Sequence, residues 1–223
     1  SDGSSGEVVY GEPLSTQQVF ERAVTTFDSA LANAPDSARI RNAARVGKAR
    51  ALLNLGRYAD AAAAVTGVPV TFEYLVTHSA TTQDNANWAL NNNAKRYVVA
   101  DLDGGNGEPF VSANDPRLPR TVGGKDFEGN AGFVAQLKYG RESSVAVASG
   151  VEAQLIIAEA QLAAGNPGAW LLTLNSLRTR VPGLAPLVDP GTADARIDLT
   201  FSERAFWLYG TGHRLGDLRR LIR

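Results

Sequence analysis

The chain lacks cysteine altogether, which excludes disulfide bonds, thiolate zinc sites and cysteine nucleophiles. It has only two histidines, His78 and His213, which lie far apart in the sequence, so a metal site built on two imidazoles is not expected. No stretch approaches the roughly 18 consecutive apolar residues that a membrane-spanning helix requires. These absences argue against disulfide-stabilised, zinc-thiolate and membrane-spanning proteins.

The chain also lacks an excess of charge of either sign. Its 223 residues contain 22 lysines and arginines against 23 aspartates and glutamates, which leaves a formal net charge of −1. Nucleic-acid-binding domains normally carry a strongly basic balance or face, so we expect no nucleic-acid partner. Hydrophobic residues make up 44% of the chain, enough for one good-sized domain with its own core.

Residues 15–66 carry the signals of three helices. Ser15 and Gln18 have the spacing of a capping box, and apolar residues then recur at helical spacing. Gly56 is a helix stop between the second and third helices. With the later segments, we expect at least six helices, whose faces bury the following side chains: Phe20, Phe27, Leu55, Leu155, Leu174, Phe201 and Phe206.

Residues 149–223 return to helical patterns after a long interruption. Ser149 with Glu152 predicts a second capping box, and Asn166 before Pro167 is typical of a helix start. Asp189 before Pro190 predicts another start of the same kind, and a last helix begins near His213.

The interruption, residues 67–148, is rich in glycine, asparagine, proline and aspartate. Short β-compatible runs at 72–76, 96–100 and 133–139 are interleaved with these turn signals. Long ordered loops inside a compact domain are usually functional, so a ligand is expected here.

Two helix pairs share a turn pattern. Gly56-Arg57-Tyr58 with Ala61 matches the G-x-Y-x-x-A turn of a tetratricopeptide hairpin, and Gly165 with Trp170 stands in comparable positions of a second pair. Glycine ends the first helix, and small alanines let the second pack closely against it. The predicted fold is therefore mainly α, with tetratricopeptide-like helical hairpins and a long loop-rich insertion.

Motifs of catalysis and cofactor binding are weak. Asp101-x-Asp103 begins like a calcium loop, but Ser112 stands where the loop needs a glutamate. No G-x-S-x-G elbow accompanies the serines and histidines that a hydrolase triad would use. We therefore expect no enzyme activity, no metal and no cofactor.

The closing segment carries the most specific signal. It reads ERAFWLY from Glu203, GHR from Gly212 and DLRR from Asp217. This resembles the E-R-x-x-E-L-x-x-E-G-H-R-x-x-D-L-x-R signature of the SusD/RagB-like family, with Leu208-Tyr209 in place of Glu-Leu and Thr211 in place of the glutamate before Gly-His-Arg. Three supporting pieces precede this segment, in the order that the family has them: DPRL from Asp115, AEA from Ala158 and LNSLR from Leu174.

The resemblance implies a cell-surface nutrient-binding lipoprotein of Gram-negative bacteria. Such a protein captures a nutrient, which we expect here to be an oligosaccharide, and delivers it to a TonB-dependent outer-membrane transporter. Residues 1–223 would then form a single SusD-like domain of about half the family's length, without its N-terminal part. The membrane would be reached only through a lipid anchor outside this chain.

The signature residues are expected to lock the fold rather than to touch a ligand. Glu203 would pair with neighbours of Arg204 or with Arg214, Gly212 would permit the bend before the last helix, and Asp217 would suit that helix's N-terminal dipole.

The candidate ligand site lies between residues 85 and 97, where five asparagines surround the only tryptophan of the insertion. Sugars present apolar ring faces and hydroxyl edges, which a flat aromatic ring, amides and arginine can match. The predicted ligand-binding residues are Asn85, Trp88, Asn91, Arg96 and Tyr97. The alternative for this segment is that Trp88 fills a small core beneath the loops while the asparagines shape turns.

A second functional hypothesis remains open. A helical-repeat scaffold would bind a protein partner through its concave face. A peptide along residues 15–66 would favour that hypothesis, and a glycan held by residues 67–148 would favour nutrient binding.

Overall fold

The computed structural model describes residues 11–105 and 107–222. Within these residues the elements are α1 (Thr16–Asn33), α2 (Ala38–Asn54), α3 (Tyr58–Val65), β1 (Glu73–Val76), β2 (Arg120–Val122), β3 (Val134–Gln136), β4 (Val145–Ser149), α4 (Gly150–Ala163), α5 (Pro167–Arg178), α6 (Ala193–Trp207) and α7 (Arg214–Leu221). Two antiparallel pairs form, β1 with β4 and β2 with β3. The mainly α fold with a loop-rich insertion between α3 and α4 is confirmed.

Local chemistry sets most helix boundaries as predicted. The Ser15 hydroxyl accepts from the Gln18 amide, and the Gln18 side chain accepts from the Ser15 amide at 2.8 Å, which completes the capping box of α1. Asn166 caps α5 ahead of Pro167. Gly56 ends the turn after α2 with a φ of 73°, a conformation that strongly favours glycine.

Two predicted helix starts are wrong in detail. Ser149 does cap α4, but the Glu152 carboxylate bonds Arg50 and lies 3.0 Å from His213 Nε2 instead of turning back to complete a capping box. Helix α6 begins three residues later than the Asp189-Pro190 pair predicts, with Thr192 as its cap. Asp189 accepts from the Gly191 amide and pairs with Arg196, so its carboxylate orders the preceding turn.

The helices from α1 to α5 pack in chain order, each against the one before it, as in helical-repeat proteins, and α6 packs against α4. One core lies among α2, α3 and α4, around Leu52 and Ile156. A second lies among α4, α5 and α6, where Trp170 is completely buried and donates its indole N–H to Thr200 at 2.8 Å.

The predicted core residues of the later helices are buried, whereas those of the first helices are less buried than predicted. Leu155, Leu174, Phe201 and Phe206 are buried. The remaining three predicted core residues are only half-buried: Phe20, Phe27 and Leu55. Helix α1 packs along one side, against α2, and none of its residues is fully buried.

The insertion has a small core of its own, made by Val99, Leu118 and Val134. Phe110 joins it to the helices, because its ring meets the Phe206 ring edge-on at 5.1 Å between centroids. Two predicted strands form, at 73–76 and 134–136, whereas residues 96–100 form no strand. There the Asn91 side chain donates to the Tyr97 carbonyl at 2.8 Å.

Candidate functional site

The asparagine-rich segment folds as a π-helix over Trp88–Asn93. Asn85 precedes it and is completely buried. Its side-chain oxygen accepts from the Asn87 and Trp88 amides, and its side-chain nitrogen donates to the Ser143 carbonyl at 2.7 Å. Every polar group of the Asn85 side chain therefore serves to hold the helix start against the 139–143 loop.

Asn91 and Asn92 tie the other end of the π-helix to β3. Asn91, also fully buried, donates to the Tyr97 and Val134 carbonyls and accepts from the Gln136 amide. The Asn92 amide exchanges two hydrogen bonds with Gln136. These hydrogen bonds use the side chains of Asn85 and Asn91 to hold the π-helix against β3 and the 139–143 loop.

Trp88 is half-buried. The Arg141 guanidinium lies 5.6 Å from the centre of its ring, and Arg141 Nε donates to Asp84 Oδ1 at 2.7 Å. Half of the Arg141 side chain is exposed. An apolar ring beside an accessible guanidinium and carboxylate is the combination that stacks and hydrogen-bonds a polar ring compound. We call these three residues the Trp88 platform.

Arg96 and Tyr97 do not take part in this platform. The Arg96 guanidinium lies 4.1 Å from the centre of the exposed Phe127 ring, a cation–π pair separate from that of Trp88. Tyr97 is half-buried and donates its hydroxyl to the Asn87 carbonyl at 3.3 Å, and burial raises the pKa of Tyr97. The assignment of the five residues to ligand binding stays a prediction.

A cleft of about 720 Å³ adjoins the segment and is lined by none of the five predicted residues. It lies between the β1–β4 pair, the start of α4 and the end of α6. Its walls contain aromatic, hydroxyl and charged side chains, chiefly Tyr139, Ser143, Trp207, Arg117, Lys138 and Glu152. Ser143 links it to the Asn85 side chain, so the cleft and the π-helix share one loop.

Lys138 is one of the charged side chains in the wall of this cleft. Its ammonium donates to the Trp207 and Tyr209 carbonyls, both at 3.1 Å, at the end of α6. Burial and the nearby Arg117 guanidinium lower the pKa of Lys138 to about 8. Tyr139, also in the wall, donates its hydroxyl to the Tyr209 carbonyl, and burial raises its pKa to about 12.

A buried ion-pair network joins the cleft wall, at Arg117, to the signature residue Glu203. Arg117 donates to both oxygens of Asp115 and of Glu203, and Glu203 also pairs with Arg178. The predicted partner of Glu203, Arg214, lies near Glu108 instead. Arg117 is 86 residues from Glu203 in sequence, so local spacing could not identify the pair.

Three residues of these surfaces were missed from sequence: Asp84, Phe127 and Arg141. An aromatic residue among the glycines of 123–132 was a usable signal for Phe127. Nothing in the local pattern distinguishes Arg141 from other surface arginines, because only the fold brings it over Trp88.

Comparisons with known proteins support the fold. Among the described helices, none combines the length and apolar character required to cross a bilayer. No protein-family model matches the chain, and no curated protein does. A SusD-like protein from Bacteroides fragilis NCTC 9343 is similar in structure, with a TM-score of 0.58 over 93% of this chain at 16% sequence identity. The matched region spans 60% of that protein's chain.

Proposed function

We propose that this chain binds a nutrient, an oligosaccharide in the first instance, at the surface of a Gram-negative bacterium and delivers it to a TonB-dependent outer-membrane transporter. In this proposal a lipid anchor outside the chain holds the protein to the outer membrane. The observation that carries the proposal is the fold shared with a SusD-like protein, together with the signature in α6 and α7.

The ligand, in this proposal, stacks on the Trp88 platform. Trp88 supplies a flat apolar face, and Arg141 and Asp84 supply charged hydrogen-bonding groups beside it. These three side chains lie in the insertion rather than in either helical core. The protein would bind the sugar without turning it over.

The test is titration calorimetry of the full-length protein against a panel of oligosaccharides. Trp88→Ala should weaken binding about five- to thirtyfold, because a desolvated stacking contact contributes on the order of 1–2 kcal/mol. Its melting temperature should stay nearly unchanged. Tyr58→Ala, which removes a partly exposed aromatic ring at the start of α3, is the matched control and should bind normally. Lost stability with unchanged affinity would instead make Trp88 a packing residue.

A protein-binding scaffold is the second candidate, and a groove favours it. This groove, of about 540 Å³, lies between the start of α1 and the α2–α3 turn and is lined by Phe20, Leu53, Leu55 and Tyr58 among others. Loss of a peptide interaction in Tyr58→Ala, with Trp88→Ala unaffected, would favour this function over nutrient binding.

A further inference from the structure

A small cavity lies where α2, α6 and α7 meet, away from the Trp88 platform. Its volume is about 120 Å³, against about 30 Å³ for one molecule of liquid water. Basic side chains dominate its wall, and one acidic side chain joins them. The lining residues that matter here are Arg50, Arg204, Thr211, His213, Asp217 and Arg220.

Two guanidinium groups in this wall have an unsatisfied donor. Arg204 and Arg220 have side chains that are 1% and 6% exposed. Within the part of the chain that the structure describes, Arg204 Nη1 and Arg220 Nε have no hydrogen-bond partner. Their other nitrogens are used: Arg204 binds Asp217 through Nε and Nη2, and Arg220 Nη2 is shared by Glu159 and Asp217.

The carboxylates nearby do not reach these two donors. The Glu159 carboxylate lies 3.7 Å from Arg204 Nη1, beyond hydrogen-bond distance. Glu152 is held by Arg50 and lies 3.0 Å from His213 Nε2. Burial, together with repulsion from Arg204, lowers the pKa of Arg220. The charges of Arg204 and Arg220 are balanced by Glu159 and Asp217, so what the described residues leave unsatisfied is the pair of N–H donors.

We propose that this cavity binds a small inorganic anion of the halide class, with chloride as the expected ligand, through Arg204 Nη1 and Arg220 Nε. An anion there satisfies both buried donors and reduces the repulsion between the two guanidinium groups. Because Arg220 lies on α7 and Arg204 on α6, the anion holds the last helix against the body of the domain. This inference is independent of the proposed nutrient binding.

The first test is thermal unfolding of the protein in sodium chloride and in sodium gluconate at one ionic strength, which keeps charge screening equal. We expect the melting temperature to rise with chloride, in proportion to the logarithm of its concentration once that exceeds the dissociation constant. The rise should be about 3 °C when chloride exceeds its dissociation constant about tenfold. Equal melting temperatures in the two salts at every concentration would refute the proposal.

The second test uses a variant in which a glutamate carboxylate takes the place of the bound anion. Thr211 lines the cavity, and its hydroxyl donates to the Leu208 carbonyl three residues earlier. Thr211→Glu should abolish the chloride-dependent shift, because its carboxylate takes the place of the ion. Thr179→Glu is the matched control, since the exposed Thr179 makes the same bond to the Ser176 carbonyl. It should retain the shift, and a shift that survives in Thr211→Glu contradicts the assignment.

Crystals grown or soaked in sodium bromide decide the matter even if Thr211→Glu does not fold. An anomalous difference peak within hydrogen-bond distance of Arg204 Nη1 and Arg220 Nε is the expected result. Ordered water in the cavity, without such a peak, would overturn the proposal and show that solvent alone satisfies the two donors.

Discussion

Glu203→Gln tests whether the buried ion-pair network attaches the insertion to the helices. Glu203 lies on α6 and binds Arg117, which belongs to the insertion, and Arg178 at the end of α5. Its carboxylate also accepts from the Trp207 indole at 3.2 Å. The substitution keeps the shape of the side chain and removes one negative charge.

The magnitude follows from burial. Arg117 and Glu203 side chains are each only 4% exposed. The charges of Arg117 and Arg178 are balanced by those of Asp115 and Glu203, so the variant leaves one uncompensated buried positive charge. Breaking a buried pair in this way costs about 3–5 kcal/mol. For a domain of this size, that corresponds to a fall of about 6–20 °C in melting temperature.

Urea unfolding followed by far-UV circular dichroism measures the loss. Asp189→Asn is the control, since it removes one charge of the bidentate but partly exposed pair with Arg196 and should lower the midpoint far less than Glu203→Gln does. Hydrogen exchange adds a local measurement: the amides of Leu118 and Val99, in the insertion core, should exchange faster in Glu203→Gln. Equal losses in the two variants, or unchanged exchange in the insertion, would refute the reasoning.

Two further predictions concern α4. Burial opposes ionisation of Glu152, but hydrogen bonds from Arg50 and His213 outweigh it and lower its pKa to about 2 from 4.5. This stabilisation is present above pH 4.5 and is lost as the pH falls towards 2. The free energy of unfolding should therefore drop by on the order of 3 kcal/mol over this range. In Glu152→Gln the drop over the same range should be smaller. Gly150→Ala should destabilise the fold strongly, because its Cβ would lie 2.0 Å from the Pro69 carbonyl oxygen. Gly168→Ala, near the start of α5, makes only ordinary contacts and should be neutral or stabilising. Comparable melting temperatures for the two alanine variants would contradict this prediction.

Sequence alone predicted most helix boundaries, because caps and stops act over three or four residues. The Ser15–Gln18 capping box, the Asn166 cap and the Gly56 stop were all readable as local patterns. Sequence also placed the mainly α fold, since helical periodicity persists over several turns in α4 to α6. At the start of α4, Ser149 was correctly predicted as the N-cap, but Glu152 was wrongly predicted to complete the capping box.

Tertiary structure decided which partners the polar side chains take. Glu152 leaves the capping box for Arg50, 102 residues away, and Glu203 finds Arg117 across 86 residues. The same holds in the insertion, where Asn85 and Asn91 spend their amides on the Ser143 and Val134 carbonyls while Arg141 reaches Trp88. A hydrogen bond depends on distance and direction in space, and loops without periodicity carry no local signal for either.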